Sequence, residues 1–150
     1  MPLSPNFSAG IAQLLFQQIS TLTTNIAVNS TLATNTVLWA SLHTAAPTSN
    51  TQSSAEAAYT SYARVSIART TVGWSVTNGT SAGAATSISP LATVSFPAAT
   101  GGTETETYFG IGLSSAGAGT LLLSGSISPT LAVSNGVTPQ LTTGSSITIV

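Results

Sequence analysis

The chain has 150 residues, 42% of them hydrophobic, yet only two Arg and three Glu carry charge. That 3% charged content compares with roughly 25% in an average soluble domain, and it excludes both a basic patch for nucleic acid and the charged face of a membrane-surface helix. With no Cys, disulfides, zinc-thiolate sites and thiol nucleophiles are excluded as well.

The length suits one hydrophobic core. The composition divides the chain into an N-terminal helix and extended arm over residues 1–35 and a β-sandwich over 36–150. A skin of Ser, Thr, Asn, Gln, Ala and Gly puts almost no like-charge repulsion between copies, which predicts self-association as a homo-oligomer. The N-terminus lacks the basic region of a signal peptide, and no stretch approaches about 18 consecutive apolar residues. These features predict a product made in the cytoplasm that then joins an assembly, with neither nucleic acid nor membrane as partner.

Along the chain, Ser8–Thr21 has helical spacing, with Ile11, Leu15, Ile19 and Leu22 on one stripe and Ser8 as N-cap. Thr23–Asn35 reads as an exposed connector or an edge strand. Thr36–Thr44 is apolar on both alternating faces from Val37 to Leu42, which predicts a strand covered on both sides, with Trp39 as a core anchor. A polar loop leads to Tyr62–Arg69, where Ala63, Val65 and Ile67 face one way and Tyr62, Arg64, Ser66 and Ala68 the other. This stretch holds the only His, both Arg and Glu56, so an Arg64–Glu56 ion pair is the sharp expectation and a solvated Arg the plain one.

Further on, Thr71–Gly79 reads as a strand ending in an Asn-Gly turn, and Gly83–Ser89 and Leu91–Phe96 as two more. Glu104–Leu113 alternates, with Phe109, Ile111 and Leu113 inward. Opposite them lie Tyr108, Gly110 and Gly112, where the glycines admit close approach of a ring or backbone. Thr120–Ile127 and Ser146–Val150 are strands, Pro129 and Pro139 bracket a short segment, and Asn135-Gly136 marks a tight turn. About eight or nine short strands at regular spacing predict an all-β, antiparallel β-sandwich, jelly-roll-like, with one N-terminal α-helix.

Little in the sequence supports catalysis. One His and three Glu make a dedicated metal site hard to build. Glu104 and Glu106 share a face of an extended segment, which fits a solvated acidic loop or a loose divalent site. His43 beside a Ser lacks the Gly-x-Ser-x-Gly elbow of a hydrolase. No phosphate-binding glycine motif is present. The reading is a non-enzyme with no cofactor, whose candidate interface or structural residues are Trp39, His43, Glu56, Tyr62, Arg64, Arg69 and Tyr108.

The run Leu38-Trp-Ala-Ser-Leu-His-Thr-Ala-Ala-Pro47, a loop with Glu56, and then Tyr62-Ala-Arg64 resemble a family of small tailed-bacteriophage virion proteins. The order continues with Tyr108-Phe-Gly-Ile-Gly112, a Gly-rich turn at Ala116–Gly119 and Leu121-Leu-Leu-Ser-Gly125. Ala46 departs from the acidic residue usual in that loop. The resemblance implies virion structure rather than catalysis. The expectation built on it is a capsid decoration (cement) protein, a trimer clamping the phage major capsid protein on the outer head. The alternative is a tail-fibre or tail-tip component that binds a host receptor or glycan, with Tyr59, Tyr62, Tyr108, Trp39 and Trp74 as candidate sugar-stacking rings.

Overall fold

A computed structural model describes residues 5–17, 35–81 and 84–149. Helix α1 spans Pro5–Gln17. The strands that follow among the described residues are β1 (Val37–His43), β2 (Val65–Ala68), β3 (Trp74–Thr77), β4 (Thr86–Pro90), β5 (Val94–Ser95), β6 (Glu104–Gly112), β7 (Leu121–Val133), β8 (Gln140–Leu141) and β9 (Ile147–Ile149). The fold is all-β with antiparallel ladders and one N-terminal helix, as expected, and its strands fall into several sheets. The expected connector Thr23–Asn35, apart from its last residue, and the helix stripe positions Ile19 and Leu22 lie outside the described residues. The chain forms two compact units, each discontinuous in sequence.

The first unit combines the N-terminal segment with residues 68–92 and 143–150. Its sheet runs β3-β4-β9, with Val76 opposite Ile88 and Ile88 opposite Ile147. Helix α1 packs on β3 and β4. It begins at Pro5, where a missing N–H costs nothing in the first turn, so Ser8 lies inside the helix rather than capping it. Its buried side is Ala9, Ala12 and Phe16, while Ile11 and Leu15 are only half-buried. That corrects the expected stripe: the helix is turned to set Phe16 edge-on against Trp74, ring centroids 4.8 Å apart, a contact worth about 0.5–1.5 kcal/mol beyond its buried area. At the other end, Arg69 donates to the carbonyls of Leu14 (Nη2, 2.6 Å) and Leu15 (Nε, 2.6 Å). These are among the last carbonyls of the helix, which have no intrahelical donor, and a cation there also meets the negative end of the helix dipole. Gln17 Nε2 donates to the carbonyl of Trp74 at 2.8 Å.

The second unit comprises residues 37–67 and 93–142. Its main sheet runs β2-β1-β6-β7, and β5-β8 forms a separate ribbon. Leu38, Ala40 and Leu42 of β1 and Phe109 and Ile111 of β6 are buried. The register places Ala40 opposite Ile111 and Leu42 opposite Phe109, so these side chains share a face. Phe109 lies against Gly125, where a Cβ would sit 2.9 Å from the ring. Val94, Phe96 and Leu141 add further buried apolar side chains, with Val94 opposite Leu141.

Two further expectations change here. Trp39 is only half-buried, and the fully enclosed tryptophan is Trp74. Trp39 points away from the Leu38-Ala40-Leu42 face because side chains alternate along a strand. The strand expected to end before Pro129 runs on to Val133. Pro129 sits where the β6–β7 register shifts between Glu106 and Tyr108, and an irregularity of that kind tolerates a residue without an N–H.

Candidate functional site

The polar centre of the second unit grows from the segment that joins β1 to β2. Residues 55–57 run beside the end of β1: Thr44 N donates to Ala55 O and Ala57 N to Leu42 O, both at 2.9 Å. Among the described residues, Ala55 (φ 49°) and Ser61 (φ 80°) are the positive-φ non-glycine residues. Such conformations cost roughly 1–3 kcal/mol each and persist where the surroundings over-determine them. Here they flank the residues that aim Glu56 and Tyr59 inward.

Glu56 receives Arg64 in a two-pronged pair, Nε to Oε1 at 2.6 Å and Nη2 to Oε2 at 2.7 Å. The side chains are 2% (Arg64) and 16% (Glu56) exposed, so the pair is desolvated rather than solvated. Arg64 also donates to the carbonyls of Ser114 (3.0 Å) and Gly117 (2.6 Å), which ties the pair to the turn between β6 and β7. The Tyr62 hydroxyl donates to Glu56 Oε1 at 2.9 Å and accepts from Leu42 N–H at 3.1 Å. The hydrogen bond to Glu56 holds the guanidinium above its ordinary pKa, and burial raises that of the Tyr62 phenol. The expected Arg64–Glu56 pair is thus present, with Tyr62 as its third member.

His43 lies in the same segment and is wholly buried. Nδ1 faces the Ser54 carbonyl at 2.8 Å, which can only accept, so Nδ1 carries the proton. Nε2, 2.9 Å from Ser41 Oγ, then accepts from that hydroxyl. Burial lowers the imidazole pKa and keeps the ring neutral. The arrangement has the outline of a Ser–His dyad, but Ser41 is also wholly buried, so no substrate carbonyl reaches the hydroxyl. Gly110 makes room for both side chains: a Cβ there would meet His43 Nε2 at 2.7 Å and Ser41 Oγ at 2.8 Å.

Sequence reasoning missed Gln52. It is fully buried: its Oε1 accepts from Ser114 N–H at 3.0 Å, and its Nε2 donates to the Trp39 carbonyl at 3.3 Å. Its own N–H bonds Ala118 O at 2.8 Å. The signal was Gly112, where a Cβ would lie 2.2 Å from Gln52 Cδ.

Glu104 and Glu106 also differ from a solvated acidic loop. Glu104 accepts from the N–H groups of Ala58 (3.0 Å) and Tyr59 (2.8 Å). Glu106 is wholly buried and lies beside Glu104, the carboxylate to which its own carboxyl hydrogen-bonds when protonated. Burial first, then the Glu104 carboxylate beside it, pushes Glu106 up to about 8. Tyr59, buried with the same two carboxyls nearby, is pushed up to about 12.

Of the seven residues named from sequence, His43, Glu56, Tyr62 and Arg64 share this region. Tyr108 pairs with His43 across β1–β6 and is half-buried, as is Trp39 opposite Gly112. Arg69 belongs to the helix end of the first unit. Among the rings considered for sugar stacking, Tyr59 and Trp74 are enclosed, which removes them. Phe96 stacks on Tyr62 with centroids 6.3 Å apart. A cleft of about 250 Å³ opens between Glu56, Tyr62, Ala63 and Arg64 on one side and Ser115–Gly117 on the other.

All five charged side chains of the chain are accounted for in this way. Arg64, Arg69 and Glu106 are buried, and Glu56 and Glu104 are half-buried and hydrogen-bonded. No curated protein matches the sequence. The family described as "Podophage GP4 fiber I protein gp80" matches residues 18–148, which take in β1 to β8, all but the last residue of β9 and the whole polar network. The chain therefore belongs to the podophage GP4 fiber I protein gp80 family.

Proposed function

We propose that this phage structural protein is a component of the tail fibre that self-associates and contacts the host surface, and that it acts by assembly and binding rather than by catalysis. The family match, which spans most of the chain and is described as a fibre protein, carries this reading. It favours the fibre over the capsid-decoration role expected from the sequence. The fate of the charged residues supports it: the ionisable groups hold the fold together, and the Ser41–His43 pair is sealed from solvent. A body built this way meets its neighbours through uncharged surface, so its contacts respond little to salt. The cleft beside Glu56 and Tyr62 is the candidate place for a host saccharide. Copy number per particle tests the placement. Quantitative mass spectrometry of purified virions is expected to give the low copy number of a tail appendage, and a copy number comparable with that of the coat protein would overturn it.

A further inference from the structure

Strand β7 is the open edge of its sheet. Among the described residues it pairs with β6 on one side and with no strand on the other. At its start, Leu121 N–H is taken by Asn50 O at 2.8 Å. Beyond that point, Leu122–Ser128 presents an outer row of backbone groups, regular from Leu123 to Ser126, with Leu122 at one register shift and Ile127 and Ser128 at the start of the one that accommodates Pro129. Seven residues of strand extend about 23 Å. Ser124, Ser126 and Ser128 are exposed, and Leu122, Leu123 and Ile127 are only half-buried, so the apolar side chains of this stretch are incompletely covered.

Folded proteins usually guard such an edge with Lys, Pro, inward charges or shortness. This one has no charged residue anywhere in Leu121–Val133, and its single proline lies beyond the open stretch. The opposite edge of the same sheet, β2, has four residues. The long edge therefore finds an equal only in another β7, and an uncharged strand meets no repulsion from its own copy.

We propose that Leu122–Ser128 of β7 is the seam at which two copies of this chain join, antiparallel and about a two-fold axis, so that the four-stranded sheet continues from one copy into the next. Backbone hydrogen bonds supply the pairing, and Leu122, Leu123 and Ile127 gain cover from the mate. An isologous seam of this kind joins copies in pairs. The proposal rests on the self-association part of the functional reading and not on where in the virion the chain sits.

The test uses the full chain and two triple variants, one with Ser124, Ser126 and Ser128 all changed to Lys and one with all three changed to Glu. These positions are exposed, so the subunit fold is expected to hold, checked by far-ultraviolet circular dichroism. Sedimentation equilibrium is expected to show pairs for the wild type, association weakened by at least roughly tenfold for each variant alone, and recovery when the Lys and Glu variants are mixed. Hydrogen exchange is expected to show β7 amides whose protection rises with concentration. A monomeric or trimeric wild type, variants that pair as the wild type does, or an unrestored mixture would each overturn the seam. If the seam holds and the copy number is that of a head protein, only the fibre placement falls; the reverse outcome removes only the seam.

Discussion

Arg64 donates four hydrogen bonds, two to Glu56 and two to backbone carbonyls. Its burial makes the pair asymmetric in energy. Removing one partner strands a desolvated charge and costs roughly 3–5 kcal/mol, whereas replacing both with apolar groups is often close to neutral. Urea unfolding of Arg64→Met is therefore expected to show a loss in that range, and the double variant with Glu56→Leu a smaller one. Equal losses for single and double variants would mean that the pair is not the source.

Glu106 gives a second prediction at this scale. Its folded pKa, about 8, lies above the ordinary value of 4.5. Between those values the folded chain holds a proton that the unfolded chain has released. Stability attributable to Glu106 therefore falls as pH rises through the window, by up to about 1.4 kcal/mol per pH unit, and levels off above it. Denaturation midpoints measured from about pH 5 to about pH 9 are expected to slope downward in the wild type and to flatten in Glu106→Gln. A slope unchanged by that substitution would contradict the assignment.

The elements show what could and could not be read beforehand. Strand β1 is legible as a continuous apolar run, and β6 because its apolar residues alternate over a stretch long enough to fix the face. The alternate glycines of β6 correctly signalled close approach, but only the folded register shows that Gly110 faces His43 and Ser41 while Gly112 faces Gln52. The helix was recognised by period, yet its rotation was misjudged: Ile11 and Leu15 looked like the better stripe, and the deciding contact, Phe16 with Trp74, is far apart in sequence. Pro129 reads as a stop, because nothing local reveals that the register shift lies there. Trp39 was misplaced by treating an apolar run as equally covered on both faces. The Arg64–Glu56 pair was legible through scarcity, since few partners existed for either charge. Gln52 is hidden, because a lone Gln in a polar loop carries no signal of burial and Gly112, which signals a close approach, does not reveal what approaches it.

The glycine contacts bear a direct test. In Gly112→Ala the new Cβ would overlap the Gln52 side chain, and crowding of this kind costs about 1–3 kcal/mol. Thermal unfolding is expected to show that loss in the single variant and a less-than-additive loss when Gln52→Ala is combined with it. Full additivity would place the strain elsewhere.

At the scale of the whole molecule, the sparse charge ceases to be an anomaly. With Glu106 protonated at neutral pH, two guanidinium groups stand against two carboxylates, and each is held within its own unit. Ionic groups serve here to fix loops and a helix end, so the outer surface is left to small polar and apolar side chains. Such a surface suits a part that is covered by neighbours in a larger structure, in keeping with the phage structural protein family to which the chain belongs.

Electron cryo-imaging of intact particles carrying an antibody or gold label on this chain tests the account most directly. Label is expected on the tail fibres and absent from the head; label distributed over the head shell would contradict the fibre placement.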